Sequence, residues 1–249
     1  MKTIAIVNRR GGVGKTATAH AIGAGLSLRG YKTLFIDLDS QCNLTYDVGG
    51  KSAPLTSMEV LSGTATAQEA IQHTAGGDII PASPSLAGAD TAIDGTGKEY
   101  RLAEAIAPLS GEYDFCIIDT PPALGVLTIN ALTACTSAII PAQAEVHSLQ
   151  GIGLLAEAIQ AVKKYTNPDI KIEGILITRY NGRAILSKDM RANLEATAIE
   201  LGTKVFSTPI RECISIKEAQ AMQRDIYSYA PRSNATADYT ELIEELLRG

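Results

Sequence analysis

Short uninterrupted apolar runs alternate along this chain with longer stretches in which apolar positions recur every three or four residues. That pattern marks buried strands separated by amphipathic helices. Residues 3–7, 33–36, 78–81, 115–118, 138–141 and 170–178 are runs of the first kind. Residues 16–29 contain no proline, carry Ile22, Leu26 and small residues on one face, and stop at Gly30, which predicts a helix immediately after the first strand. A helix over 147–164 is predicted with Leu149, Ile152, Leu155, Ile159 and Val162 as its buried stripe. Another follows the loop 179–183 with Leu186, Met190, Leu194 and Leu201 inward. A last helix, over 235–247, sets Leu242, Ile243, Leu246 and Leu247 against Glu241, Glu244 and Glu245. From 46 to 112 the pattern is weaker, with helical pieces near 57–61, 67–73, 85–90 and 98–107 and a surface loop at Gly95-Thr96-Gly97. Strands alternating with helices predict one α/β domain spanning residues 1–249.

Composition narrows this further. At 249 residues, 45% hydrophobic and 20% charged, the chain reads as soluble and globular, and no apolar run approaches the ~20 residues of a membrane span. Met1-Lys2-Thr3 leads straight into the first strand, so neither a signal peptide nor an N-terminal DNA-reading domain is expected. Cys42, Cys116, Cys135 and Cys213 show no C-x-x-C pairing and His20, His73 and His147 lie far apart, which disfavours a disulfide framework or zinc site and suits a cytosolic protein. The net charge of −5 argues against a generally basic nucleic-acid binder. Its distribution is uneven: residues 1–150 hold 9 Lys/Arg against 14 Asp/Glu, whereas residues 179–232 hold 9 against 6. Arg183, Lys188 and Arg191, with Lys217 and Arg224, are therefore candidates for one basic surface, and a solvated mixed-charge surface is the alternative.

The chemistry sits where strands end. The stretch Asn8-Arg9-Arg10-Gly11-Gly12-Val13-Gly14-Lys15-Thr16 joins the first strand to the first helix. Its glycines allow backbone N–H groups to turn toward phosphate oxygens, Lys15 brings a positive charge to the β- and γ-phosphates, and Thr16 offers a hydroxyl to Mg²⁺. The common spacing of such a P-loop wants glycine where Arg9 stands; a deviant spacing, K-G-G-x-G-K-T, fits instead, with Arg10 in place of its first lysine. Asp37 and Asp39 alternate at the end of the second strand and face the crevice beyond the strand C-termini. Asp39 is the stronger candidate to position or deprotonate an attacking water and to reach Mg²⁺. The run 115–119 ends in Asp119, followed by Thr120-Pro121-Pro122, and has the form of a Walker B strand whose acid holds Mg²⁺ through water.

Along nearly its whole length the chain resembles the ParA/Soj partition ATPases of the ParA/MinD class of deviant P-loop proteins. The resemblance rests on residues 10–16, on Leu34 through Asp39, on Gln41 with Asn43, on Tyr113 through Pro122, and on Ile139-Ile140-Pro141. It implies a mostly parallel central sheet flanked by helices on both faces. It also implies ATP and Mg²⁺ binding through Arg10, Gly11, Gly12, Val13, Gly14, Lys15, Thr16 and Ala17, with Thr16, Asp39 and Asp119 at the metal and Lys15, Asp39 and Arg10 catalytic. Slow hydrolysis, an ATP-bound homodimer that coats DNA nonspecifically on the nucleoid, and a ParB-like centromere-binding partner belong to the same expectation. The stretch from Ile210 to Ala219 looks like versions from plasmids and conjugative elements. Three positions differ from the family pattern: Arg10 replaces the lysine that reaches the partner's phosphates, Ala17 stands where threonine is usual, and Ser215 falls where one branch carries a DNA-binding arginine, with Lys217 as a candidate substitute. Two other readings remain open: a nucleotide-dependent interaction switch with little or no hydrolysis, and a MinD-like positioning ATPase. The second needs a basic amphipathic last helix, whereas the polar face here is acidic.

Overall fold

Apolar runs with β-branched residues become strands because both faces of this sheet are covered by helices. The computed structural model describes residues 1–182 and 185–248, excluding the side chains of 146–150 and 185–188. In chain order it runs β1 (Lys2–Ile6), α1 (Lys15–Ser27), β2 (Thr33–Asp37), α2 (Asn43–Val48), α3 (Ser57–Ser62), α4 (Ala67–Ala70), β3 (Gln72–Thr74) and β4 (Gly77–Ile80). Then come α5 (Ala89–Ala92), α6 (Arg101–Ile106), β5 (Phe115–Asp119), α7 (Val126–Ala134), β6 (Ser137–Gln143), α8 (Val146–Tyr165), β7 (Lys171–Thr178) and α9 (Ile185–Glu200). The chain closes with α10 (Ile214–Ala221), α11 (Ile226–Tyr229) and α12 (Asn234–Arg248).

The seven strands are ordered β3-β4-β2-β5-β1-β6-β7, and only the edge pair β3–β4 is antiparallel. The mostly parallel sheet with helices on both faces is thus as expected. Alternate residues of each strand feed two cores. Ala5, Val7, Leu34, Ile36, Cys116 and Ile118 face the layer made with α6, α7, α8 and α9. Ile4, Ile6, Phe35, Phe115 and Ile117 face the layer closed by α1, α2 and α12. Because β2 and β6 lie on opposite sides of the central β5–β1 pair, the strand order reverses there, and a crevice opens beyond their C-terminal ends.

Several boundaries differ from the sequence expectation. The helix expected over 67–73 stops after one turn, and residues 72–74 instead pair with β4. A capping box of Thr66 and Glu69 fixes that turn's start, while the Gly76-Gly77 corner supplies the hairpin. α7 shows no apolar periodicity because it is buried nearly all round, from Val126 to Thr133. In α12 Leu242, Ile243 and Leu246 are buried as expected, but Leu247 is 38% exposed. Leu247 sits 100° round the helix from Leu246 and past the edge of the stripe. Leu201 lies just past the end of α9 and is half-buried, and the side chains of Leu149 and Leu186 are outside the described residues. The acidic face of α12 is partly spent on its own domain. Glu241 accepts from Thr208 Oγ1 at 2.8 Å, and Glu245 accepts from Lys204 Nζ at 2.7 Å and from Ser207.

Candidate nucleotide site

The loop between β1 and α1 is held in shape from outside. Asn8 donates through Nδ2 to Pro141 O at 2.6 Å and accepts from Arg10 N at 2.9 Å. Gln143 Nε2 donates to Gly12 O at 2.9 Å, and Thr178 Oγ1 donates to Val13 O at 2.8 Å. Those bonds tie the Gly12 and Val13 carbonyls to the C-terminal ends of β6 and β7. Gly12 and Gly14 take φ +75° and +85°, a left-handed backbone open to glycine and strained for other residues. Gly14 is also the N-cap of α1, so the helix's first amides and its partial positive charge point into the same space.

Side chains converge there from three strand ends. Lys15 is buried, and its ammonium donates to Arg10 O at 3.3 Å. Burial lowers its pKa, while the nearby Asp119 and Asp39 oppose that shift. Thr16 Oγ1 donates to Asp119 Oδ2 at 2.6 Å. Asp119 is fully buried, and its other oxygen, Oδ1, has no hydrogen-bond partner among the described residues. Burial first, then the charge of Asp37, pushes its pKa well above the usual carboxylate range, against the Thr16 bond and Lys15. A buried carboxylate with one oxygen unmatched beside a P-loop hydroxyl is what a hard divalent cation fits. No three His, Cys, Asp or Glu among the described residues form a cage, so such a cation would draw its other ligands from phosphates and water.

Asp39 also lines the cleft and accepts from Gln41 N at 3.0 Å through Oδ1, so it caps its own turn while facing the site. Asp37 does not line it. It is fully buried, accepts from Thr45 N and Thr45 Oγ1 at 2.8 Å and from Asp39 N at 3.0 Å, and fixes the turn that carries Asp39. Burial raises its pKa to about 6 despite those bonds. The cleft has a volume of about 400 Å³ and runs from Gly11, Gly12, Gly14, Lys15, Thr16 and Ala17 past Asn43 and Pro122. Its far wall is Ile210, Arg211, Cys213, Ile216, Lys217, Gln220 and Tyr239. Val13 is buried, and its carbonyl accepts the bond from Thr178.

Arg10 meets Glu145 of its own chain at 2.5 Å. Of the basic candidates, Lys217 lies on the cleft wall. Arg191 pairs with Glu195 at 2.9 Å, and Arg224 donates to Ser228 O at 2.7 Å beside the Tyr229 ring. Arg183 and the side chain of Lys188 are outside the described residues. Sequence reasoning missed Gln143 and Thr178 as loop supports and did not place the 210–220 segment at the cleft. Gln143 and Thr178 each end a strand next to the P-loop, and that position was the available signal.

A P-loop after β1 with acids at the ends of β2 and β5 defines a P-loop nucleotide-binding protein of the deviant class. Residues 1–172 match the AAA domain family. The chain is 37% identical over 98% of both proteins to the sporulation initiation inhibitor protein Soj of Bacillus subtilis. It is 35% identical to the chromosome-partitioning ATPase Soj of Thermus thermophilus, covering 99% of this chain and 96% of that one. Its fold superposes with a TM-score of 0.87 on a structure described as cobyrinic acid a,c-diamide synthase from Mycobacterium smegmatis with bound ATP analogue and magnesium. That match is 35% identical and covers 100% of this chain and 95% of the other. The chain belongs to the ParA/Soj family of partition ATPases, within the ParA/MinD class.

Proposed function

We propose that this protein binds ATP with Mg²⁺ in the cleft, hydrolyses it slowly, and switches between a monomer and an ATP-bound dimer that binds DNA without sequence preference. Together with a ParB-like partner it would partition plasmid, chromosomal or mobile-element DNA, working in the cytoplasm on the nucleoid. The 210–219 stretch inclines this reading to a plasmid or conjugative element. The observation that carries the proposal is the pairing of Thr16 with Asp119, whose second oxygen is buried and unmatched beside the P-loop threonine. The Bacillus and Thermus Soj relatives support the partition reading, and the Mycobacterium structure, described with bound ATP analogue and magnesium, supports the nucleotide site.

In this reading Lys15 and the loop amides hold the β- and γ-phosphates, and Thr16 and Asp119, with Asp39 near, hold Mg²⁺. The cation when bound supplies charge neutralisation of the phosphates. Asp39, on the cleft wall, orients the attacking water, and Asp37 holds the turn that aims it. No helix among the described residues is long and apolar enough to cross a membrane, and the apolar face of α12 is buried in its own domain, which supports a partner other than a membrane. A second reading, a switch with little turnover, is favoured by one contact: Arg10 is held by Glu145 of its own chain and must leave it to reach a partner's phosphates. Phosphate release by the pure protein separates the two. Slow release that Lys15→Ala and Asp39→Ala abolish, with nucleotide binding lost only in Lys15→Ala, supports the ATPase; undiminished release by Asp39→Ala removes that residue from its role.

A further inference from the structure

Beyond β7 the chain is paired by the segment 204–212, and that pairing contains an irregularity at the cleft. Ile210 N donates to Ile177 O at 2.8 Å, but Ile210 O accepts from Tyr180 N at 2.9 Å. A regular parallel ladder would use residue 179, so one extra residue is inserted between these bonds. The insertion falls just after Thr178, which is still in register with Gln143 and bonds Val13 O, and Arg179 takes φ +50°, a left-handed conformation uncommon outside glycine. Bulges next to sites re-aim side chains, and here Arg179 is delivered to the cleft that holds Lys15.

Its guanidinium is not committed to the fold. Nε and Nη2 both donate to one oxygen of Glu212, at 3.3 and 2.9 Å, and the two side chains are 51% and 58% exposed. Such a pair is weak. Arg211, on the same wall, is the contrast. It is locked to the buried Asp238 through its backbone N, Nε and Nη2, and so has a structural partner it cannot leave cheaply. On the loop side, Ala17 lines the cleft without any side-chain donor.

We propose that Arg179 is a further phosphate ligand of the bound nucleotide, reached from its own chain by exchanging Glu212 for a phosphate oxygen. Glu212 then acts as a resting counter-ion that competes with the nucleotide. This rests on the cleft being the nucleotide site. The exchange is favourable because a polyphosphate offers more charge and better-matched acceptors than one exposed carboxylate.

The test is titration of fluorescent ATP and ADP analogues into the wild type, Arg179→Ala, Arg179→Lys and Glu212→Gln, with melting temperatures as a folding control. Arg179→Ala is expected to weaken ATP and ADP alike by about 5- to 20-fold, and Arg179→Lys by less. Glu212→Gln is expected to tighten both about 2- to 5-fold, because the competitor is gone. Unchanged affinity in Arg179→Ala, or a loss in Glu212→Gln that matches it, would make the pair structural and overturn the proposal. A loss confined to ATP would place Arg179 at a γ-phosphate or across a dimer and overturn it as well. A wild type that binds neither nucleotide would instead refute the site reading itself.

Discussion

Substituting Gly23 by alanine tests how the P-loop helix is docked. Gly23 sits in the middle of α1, where alanine would improve intrinsic helix stability by roughly 0.8–1 kcal/mol. Packing opposes this. A Cβ at Gly23 would lie 2.1 Å from Phe35 Cε1 and 2.3 Å from Cζ, distances real contacts do not reach. Phe35 cannot easily retreat: it is fully buried, its ring meets His20 edge-on at 6.1 Å, and its opposite edge lies 3.1 Å from the point where a Cβ on Gly77 would be. Overpacking of this kind costs about 1–3 kcal/mol, and two ring atoms in deep conflict place it in the upper half. The expected net is about 1–2 kcal/mol of destabilisation, or a melting point lower by roughly 2–8 °C for a chain of this size. Because α1 carries Lys15 and Thr16 at its first turn, its displacement should also weaken nucleotide binding. Urea and thermal unfolding would be compared for Gly23→Ala, Phe35→Leu and the double variant, in which the smaller side chain should recover part of the Gly23→Ala loss. A Gly23→Ala protein as stable as the wild type, or more so, would show that helix propensity prevails and that the close approach does not matter.

Asp47 is buried with one bond, from Gln220 Nε2 at 2.7 Å, and burial raises its pKa to about 6. Since the folded value exceeds the unfolded one, the cost of its charge is absent below about pH 4 and complete above about pH 6. Asp47→Asn should therefore stabilise by on the order of 2 kcal/mol at pH 7 and by nothing near pH 4, as read from denaturation at both pH values; equal gains at both would refute the assignment. On the proposed function, DNA binding should require ATP and fall about 10²-fold between roughly 50 and 200 mM salt in gel shifts, because a chain of net charge −5 would depend on a local basic patch doubled by dimerisation. Charge reversal at Arg183, Lys188, Arg191 or Arg224 should weaken it, and binding equal in ADP and ATP would refute it.

Much of this architecture was legible because parallel strands buried on both faces write continuous apolar runs. The stretch 115–119 became β5 without a shift in boundary, and Asp119 fell at its end where the chemistry needed it. P-loop glycines were legible for a related reason: left-handed backbone at 12 and 14 restricts the choice of residue. What stayed hidden was tertiary. Thr178 and Gln143 each end a strand, but that each bonds a P-loop carbonyl follows only from the order of the strands in the sheet. The cleft wall at 210–220 is built by pairing with β7 and by α10, over a separation in sequence that no periodicity reports. Asp39 was the stronger candidate of the two alternating acids, and packing supplies the reason: Asp37 turns into the core and Asp39 to the cleft. α7 escaped because a helix buried all round has no polar face.

The central claim is a switch driven by the γ-phosphate, and the mass of the protein in solution reads it directly. Asp39→Ala should retain bound ATP, so light scattering on that variant with Mg²⁺ would be run in ATP and in ADP. The expected masses are twice the 26.2 kDa chain mass in ATP and the single chain mass in ADP. A mass that is the same with either nucleotide, while both bind, would contradict it.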